Sequence, residues 1–117
     1  MSYTPGTHII ASLHSSNAGL LILHDQFKVL IDDLIDRYQL QKLGEVYHQF
    51  TSGGFTAVVC LSESHISIHT WPEHQLINLD IYLSNYQRNN DGTVDGIYLA
   101  FKNYFKGTVT TEQILIR

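Results

Sequence analysis

The chain is short of several things that whole classes of protein require. It has one cysteine, Cys60, which excludes an internal disulfide and fits a reducing cytosol. Only 15% of its residues are charged and only seven are Lys or Arg. These form no basic cluster, so no nucleic-acid partner is expected. No apolar run approaches the roughly 20 residues that span a bilayer. The opening Met1-Ser2-Tyr3-Thr4-Pro5-Gly6 has neither the basic nor the apolar region of a secretory leader. A cytoplasmic protein without a membrane partner is therefore expected. What is present is 117 residues, 44% hydrophobic, with a formal net charge of -4. That suffices for the core of one domain, residues 1–117.

The hydrophobic pattern changes period along the chain. Thr7 to Leu13 reads as a strand after a Pro-Gly turn, and His14 to Gly19 as a loop. Phe27, Leu30, Ile31, Leu34, Ile35 and Tyr38 recur at three- and four-residue spacing, with acids between them. This predicts an amphipathic helix from about Asp25 to Lys42-Leu43-Gly44, closed by Gly44. Glu45 to Phe50 alternates and the turn Thr51-Ser52-Gly53-Gly54 leads into the apolar run Phe55 to Leu61, a hairpin. Ser62-Glu63-Ser64 interrupts the pattern. Ile66 to Trp71 is strand-like until Pro72, and Leu76 to Leu83 is another strand. After the polar stretch Asn89-Asn90-Asp91-Gly92, Val94 to Phe105 predicts a second helix, ended by Gly107, and Val109 to Ile116 a last strand. The order β-α-β-β-β-β-α-β implies α+β: a two-layer sandwich, a largely antiparallel sheet with two helices on one face. The other face is bare, and a homodimer is the simplest cover for it.

The densest chemistry lies in Leu61-Ser62-Glu63-Ser64-His65-Ile66-Ser67-Ile68-His69-Thr70-Trp71-Pro72-Glu73. A serine hydroxyl can attack the carbonyl of its own preceding peptide bond, turning amide into ester. β-Elimination then cuts the chain and leaves dehydroalanine, which hydrolyses to a pyruvoyl group. This requires a strained or polarised peptide, a proton acceptor and a stabilised oxyanion. Alternation along a strand puts His65, Ser67 and His69 on one face and Ser64 on the other. An extended segment separates His69 from Ser64 by roughly 16 Å. Either the segment bends at Ser64, or His69 serves a second copy across a dimer, which also covers the bare face. Two plainer readings stand beside this. His65 and His69 are solvated surface imidazoles, or His65, His69 and His74 with Glu73 hold zinc. The last matches no zinc spacing, and no metal is expected.

The segment Glu63-Ser64-His65 followed by Ile68-His69-Thr70-Trp71-Pro72-Glu73 resembles the self-cleavage and active-site segment of the prokaryotic S-adenosylmethionine decarboxylases. The likeness extends to His8-Ile9-Ile10-Ala11, His48-Gln49-Phe50 and Asp80-Ile81-Tyr82. The resemblance implies cleavage between Glu63 and Ser64 into chains 1–63 and 64–117. Ser64 becomes a covalent pyruvoyl group that forms a Schiff base with the substrate, with no pyridoxal phosphate. It further implies that His69 drives the elimination across a homodimer with shared sites. Phe50 would stack on adenine and Glu73 would bind the ribose hydroxyls. The implied fold is an α/β sandwich, and the implied activity makes decarboxylated S-adenosylmethionine for spermidine. Three positions depart from the family pattern. Ser84 stands for the proton-donating cysteine, Thr56 for a serine that assists processing, and Ser12 for a glutamate in the first strand. A hydroxyl is a much weaker acid than a thiol of pKa ~8.5. These departures keep two alternatives open. One is a pyruvoyl decarboxylase retuned to arginine or ornithine, and the other a processing-dead regulatory paralogue.

Overall fold

The computed structural model of the chain describes residues 3–117; Met1 and Ser2, part of the opening read above, lie outside the described residues. The elements are β1 (Thr7–His14), α1 (Gly19–Ile22), α2 (Asp25–Arg37), β2 (Lys42–Gln49), β3 (Phe55–Leu61), β4 (Ser64–Trp71), a 3-10 turn (Pro72–His74), β5 (Leu76–Leu83), α3 (Asp91–Phe105) and β6 (Thr108–Ile116). The six strands form one sheet in the order β2-β3-β4-β5-β1-β6. Every neighbouring pair is antiparallel. The expected α+β sandwich is therefore observed, with β4 and β5 at the centre.

Alternation decides which side chains meet the helices. Ile9, Ala11 and Leu13 of β1, Phe55, Ala57, Val59 and Leu61 of β3, Ile66 and Ile68 of β4, and Ile77, Leu79, Ile81 and Leu83 of β5 are all buried on one face. Helix α2 covers them with Phe27, Ile31, Leu34 and Ile35, and α3 with Val94, Ile97, Tyr98, Phe101 and Phe105. Phe27 joins the layers: its ring lies 5.6 Å from Phe55, 5.0 Å from Phe101 and 5.5 Å from Phe105. Each such buried ring contributes roughly 1.5–3 kcal/mol over leaving it in water. The other face carries His8, Ile10 and Ser12, Val58 and Cys60, His65, Ser67 and His69, and Asn78, Asp80 and Tyr82. No helix covers it.

Several boundaries differ from the sequence expectation. Helix α2 stops at Arg37 rather than at Lys42 to Gly44, because Gln39 takes the left-handed conformation (φ 54°) and turns the chain. Gly44 is no cap. It pairs with Cys60 in β2, beside a bulge that absorbs Leu43. Part of the expected loop after His14 winds into α1, whose Leu21 is buried. Asp91 and Gly92 belong to α3, not to a loop. Strand β4 begins at Ser64 rather than Ile66, so the interruption is only the two-residue turn Ser62-Glu63, closed by the pair Leu61 and Ser64.

Candidate active site

The residues singled out in the sequence fall into two groups, one at each end of β4. At its start, the turn Ser62-Glu63 is fixed on several sides. The Ser62 N–H donates to the Gln41 carbonyl at 2.9 Å. The Glu63 carbonyl, the acyl side of the Glu63-Ser64 bond, accepts the Ser84 N–H at 2.8 Å. Ser84 follows directly on β5, the strand paired with β4. Ser64 itself has φ 138°, a conformation that L-residues rarely adopt. A two-residue hairpin prefers residues of positive φ within the turn. Here the chain places the positive φ on the first residue of β4 instead. The Glu63 carboxylate pairs with Arg88, at 3.1 Å from Nη2 and 3.3 Å from Nε, and also accepts the Asn90 amide.

At the other end, Phe50, Ser52, Gly53, Thr56, His69, Thr70, Trp71 and Glu73 line a cavity of about 360 Å3. The hairpin turn after β2 supplies Phe50, β3 supplies Thr56, β4 supplies His69, and the 3-10 turn supplies Glu73. Thr56 and His69 are direct cross-strand partners, with Oγ1 and Nδ1 2.9 Å apart. Phe50 is 44% exposed, and its ring lies 4.7 Å from that of His48 in an edge-to-face arrangement. Gly54 (φ 94°) holds the cavity wall close: a Cβ there would sit 2.9 Å from the Pro72 ring. Gln49 ties the same turn to α1 by donating to the Ile22 carbonyl at 2.5 Å and the Gly54 carbonyl at 2.9 Å.

Strand β4 runs unbroken from Ser64 to Trp71, which leaves Ser64 and His69 roughly 16 Å apart in one chain. The bend that would bring them together is not there. The sequence thus finds both groups, and the structure keeps them separate.

A third cluster sits on the bare face. Asp80 Oδ1 lies 2.6 Å from His8 Nε2 and 2.9 Å from His65 Nε2. Arg117, which can only donate, is 3.1 Å from His8 Nδ1, so Nδ1 accepts and Nε2 carries the proton that Asp80 receives. These three side chains are also the ones whose ligand atoms converge closely enough for a metal, within 4.8 Å, among the described residues. The zinc set considered from sequence, His65, His69 and His74 with Glu73, does not assemble: His65 and His69 lie four residues apart on an extended strand. Nearby, Ser12 donates to Asn78 Oδ1 at 2.8 Å, a neutral pair at the position where the resemblance implied a carboxylate.

Arg88, Asn90 and the Ser84 N–H were not singled out by the sequence. Arg88 and Asn90 lie in a polar stretch that reads as loop, and backbone donors have no sequence signature. Asp80 was noted within a motif, but its partnership with His8 and His65 depends on the strand order β4-β5-β1.

Comparison with known proteins now bears on these groups. The family model for S-adenosylmethionine decarboxylase matches residues 7–112. This chain belongs to that family. An S-adenosylmethionine decarboxylase proenzyme of Archaeoglobus fulgidus is 43% identical over 77 residues, 66% of this chain and 69% of that protein. One of Picrophilus torridus is 35% identical over 102 residues, 87% of this chain and 78% of that protein. A crystal structure of the adenosylmethionine decarboxylase from Aquifex aeolicus VF5 superposes with a TM-score of 0.78 at 28% identity. It covers 99% of this chain and 91% of that one.

Proposed function

We propose that the chain is a self-processing, pyruvoyl-dependent S-adenosylmethionine decarboxylase. The observation that supports this most is the geometry at Glu63-Ser64. A backbone N–H already holds the carbonyl at 2.8 Å, and the following serine has φ 138°. Strain and a preset oxyanion donor are what an amide-to-ester shift requires. Ser64 Oγ adds to the Glu63 carbonyl carbon, the C–N bond breaks, and the hydroxyl proton passes to nitrogen. Removal of the Ser64 α-proton then expels the Glu63 carboxylate, and water replaces ammonia to leave the pyruvoyl group. These residues suit that group. Once present, its carbonyl supplies an electron sink for loss of carbon dioxide from a bound amine.

The base for the α-proton is His69 of a second copy, because the distance along β4 excludes the same chain. In such a homodimer the Phe50–Glu73 cavity of one chain completes the Ser64 end of the other. The bare sheet face becomes the interface. Phe50 then stacks on the adenine, Glu73 accepts from the ribose diol, and Thr56 orients His69 through its 2.9 Å contact. No metal enters this scheme. Ser84 occupies the position of the proton donor to the product. Decarboxylated S-adenosylmethionine would feed aminopropyl transfer in a cytoplasmic spermidine pathway.

A second reading has its own observation. The neutral Ser12–Asn78 pair and Ser84 remove an acid and a thiol, which fits a site retuned to arginine or ornithine. The retained Phe50 and Glu73 favour the nucleoside substrate. Intact mass under denaturing conditions tests processing: two fragments, 1–63 and 64–117, the second without a free amine, support it. A single persistent chain sinks it and leaves the role of a regulatory partner. Release of labelled carbon dioxide from carboxyl-labelled S-adenosylmethionine, arginine or ornithine then identifies the substrate.

A further inference from the structure

The loop between β5 and α3 does more than connect them. Glu63 is only 13% exposed, and its carboxylate is surrounded by donors from this loop: Arg88 Nη2 at 3.1 Å, Arg88 Nε at 3.3 Å, and Asn90 Nδ2. Arg88 Nη2 also donates to the Gln39 carbonyl at 3.1 Å, tying the loop to the end of α2. Asn90 is 1% exposed. Its Nδ2 donates to the Ser84 carbonyl at 2.9 Å as well as to Glu63, while its N–H is held by Asn85 Oδ1 at 2.7 Å. One buried amide thus joins the side chain of Glu63 to the residue whose N–H holds the Glu63 carbonyl. Its Oδ1 has no partner among the described residues. A buried acceptor left unpaired costs stability, so the amide is oriented for its donors.

We infer that Arg88 and Asn90 form a clamp on the Glu63 side chain that holds the Glu63-Ser64 peptide in its strained, cleavable geometry. They are positioning residues. They touch the flanking carboxylate, not the reacting atoms, and act by fixing where the carbonyl points. A free Glu63 would let the turn rotate, relax Ser64 out of positive φ and draw the carbonyl away from the Ser84 N–H. Charge-assisted, two-pronged contacts of this kind restrict rotation as well as contribute energy. The inference rests on the self-processing reading above.

The test follows conversion of freshly purified full-length chain into two fragments by denaturing mass spectrometry, beside thermal unfolding of each protein. Arg88→Gln and Asn90→Ala are expected to convert roughly tenfold slower or more than wild type, the loss for one charge-assisted contact. Arg88→Lys, which restores a single charged donor, recovers part of the rate. Hydroxylamine, which cuts the ester but not the amide, reads the position of the amide-ester shift. Its fragment yield falls in both slow variants. A merely structural role would lower the melting temperature without changing ester content or responding to Lys. Arg88 is partly exposed, so Arg88→Gln remains informative if Asn90→Ala unfolds. Folded variants that convert at the wild-type rate with wild-type ester content, beside a converting wild type, overturn the clamp alone. A wild type that never converts overturns the parent reading and the clamp with it.

Discussion

The two ends of β4 are built on opposite principles. At the Ser64 end the turn is held on several sides: the Ser62 N–H and the Glu63 carbonyl are both hydrogen-bonded, and an ion pair and a buried amide hold the Glu63 side chain. At the His69 end the same strand opens onto a cavity of about 360 Å3 with half-exposed Phe50 and Trp71 on its walls. Rearranging a peptide bond requires restraint, whereas admitting a nucleoside requires room. On the proposed function, one strand meets both requirements by putting them at opposite ends, and that separation would call for a second copy of the chain.

The largest loss is expected at Ser64. Ser64→Ala is expected to abolish fragment formation and decarboxylation together, read by intact mass and by carbon dioxide release. Cleavage in that variant would mean the chain is cut elsewhere or by another agent. His69→Ala is expected to block elimination nearly as fully when every copy carries it. Mixing it with Ser64→Ala sharpens the point. In mixed dimers the His69→Ala chain should be cut, because its partner supplies His69, while the Ser64→Ala chain stays whole. If neither chain is cut, the two ends do not meet across an interface.

The cavity end should respond more mildly. Phe50→Ala removes a stacking surface worth about 1–3 kcal/mol for a base. It is expected to raise KM for S-adenosylmethionine roughly tenfold or more with a smaller effect on kcat. An unchanged KM would favour a smaller amino-acid substrate. Ser84→Cys restores a better acid while keeping the N–H that faces Glu63, and turnover is expected to rise several-fold. No rise would place the proton donor elsewhere.

The smallest effect lies outside both ends. Hydrogen bonds from Asn85 and then Thr7 hold the Asp91 carboxyl below the usual carboxylate range, against a modest opposing effect of burial. A depressed folded-state value contributes stability above the unfolded pKa, and that contribution is lost as the pH falls through the folded one. The stability gap between wild type and Asp91→Asn is therefore expected to be present at neutral pH and to close below roughly pH 4. Thermal melts across that range check it. A gap independent of pH would assign the loss to packing.

Much of this was legible in residue order. Period-2 and period-3.6 patterns located β1, β3, β4, β5, α2 and α3, because each hides one apolar face, whereas β6 is exposed along its length. The candidate site residues stand out as a dense polar run inside a chain with few charges. The end of α2 was not legible, because Gln39 rather than glycine adopts the left-handed turn, and Gln carries no such signature. Nor was the role of the loop after β5. Arg88 and Asn90 read as solvated polar residues, and only strand pairing brings Ser84 and its loop against Glu63. The rise of an extended strand gave the separation of Ser64 from His69, and the unbroken β4 removed the alternative of a bend.

The strand order has a further consequence. A cut before Ser64 sorts β1, β2 and β3 into one polypeptide and β4, β5 and β6 into the other. In the sheet these are not side by side but interleaved: β1 is inserted between β5 and β6, and β3 is bonded to β4. The pieces therefore share three hydrogen-bonded seams and cannot drift apart while the sheet survives. Once it melts, however, they are separate molecules, and reassembly becomes a second-order event that slows on dilution. The uncut precursor refolds as one chain. The mature protein would carry its history in its kinetics, as a fold that is simple to make once and slow to remake.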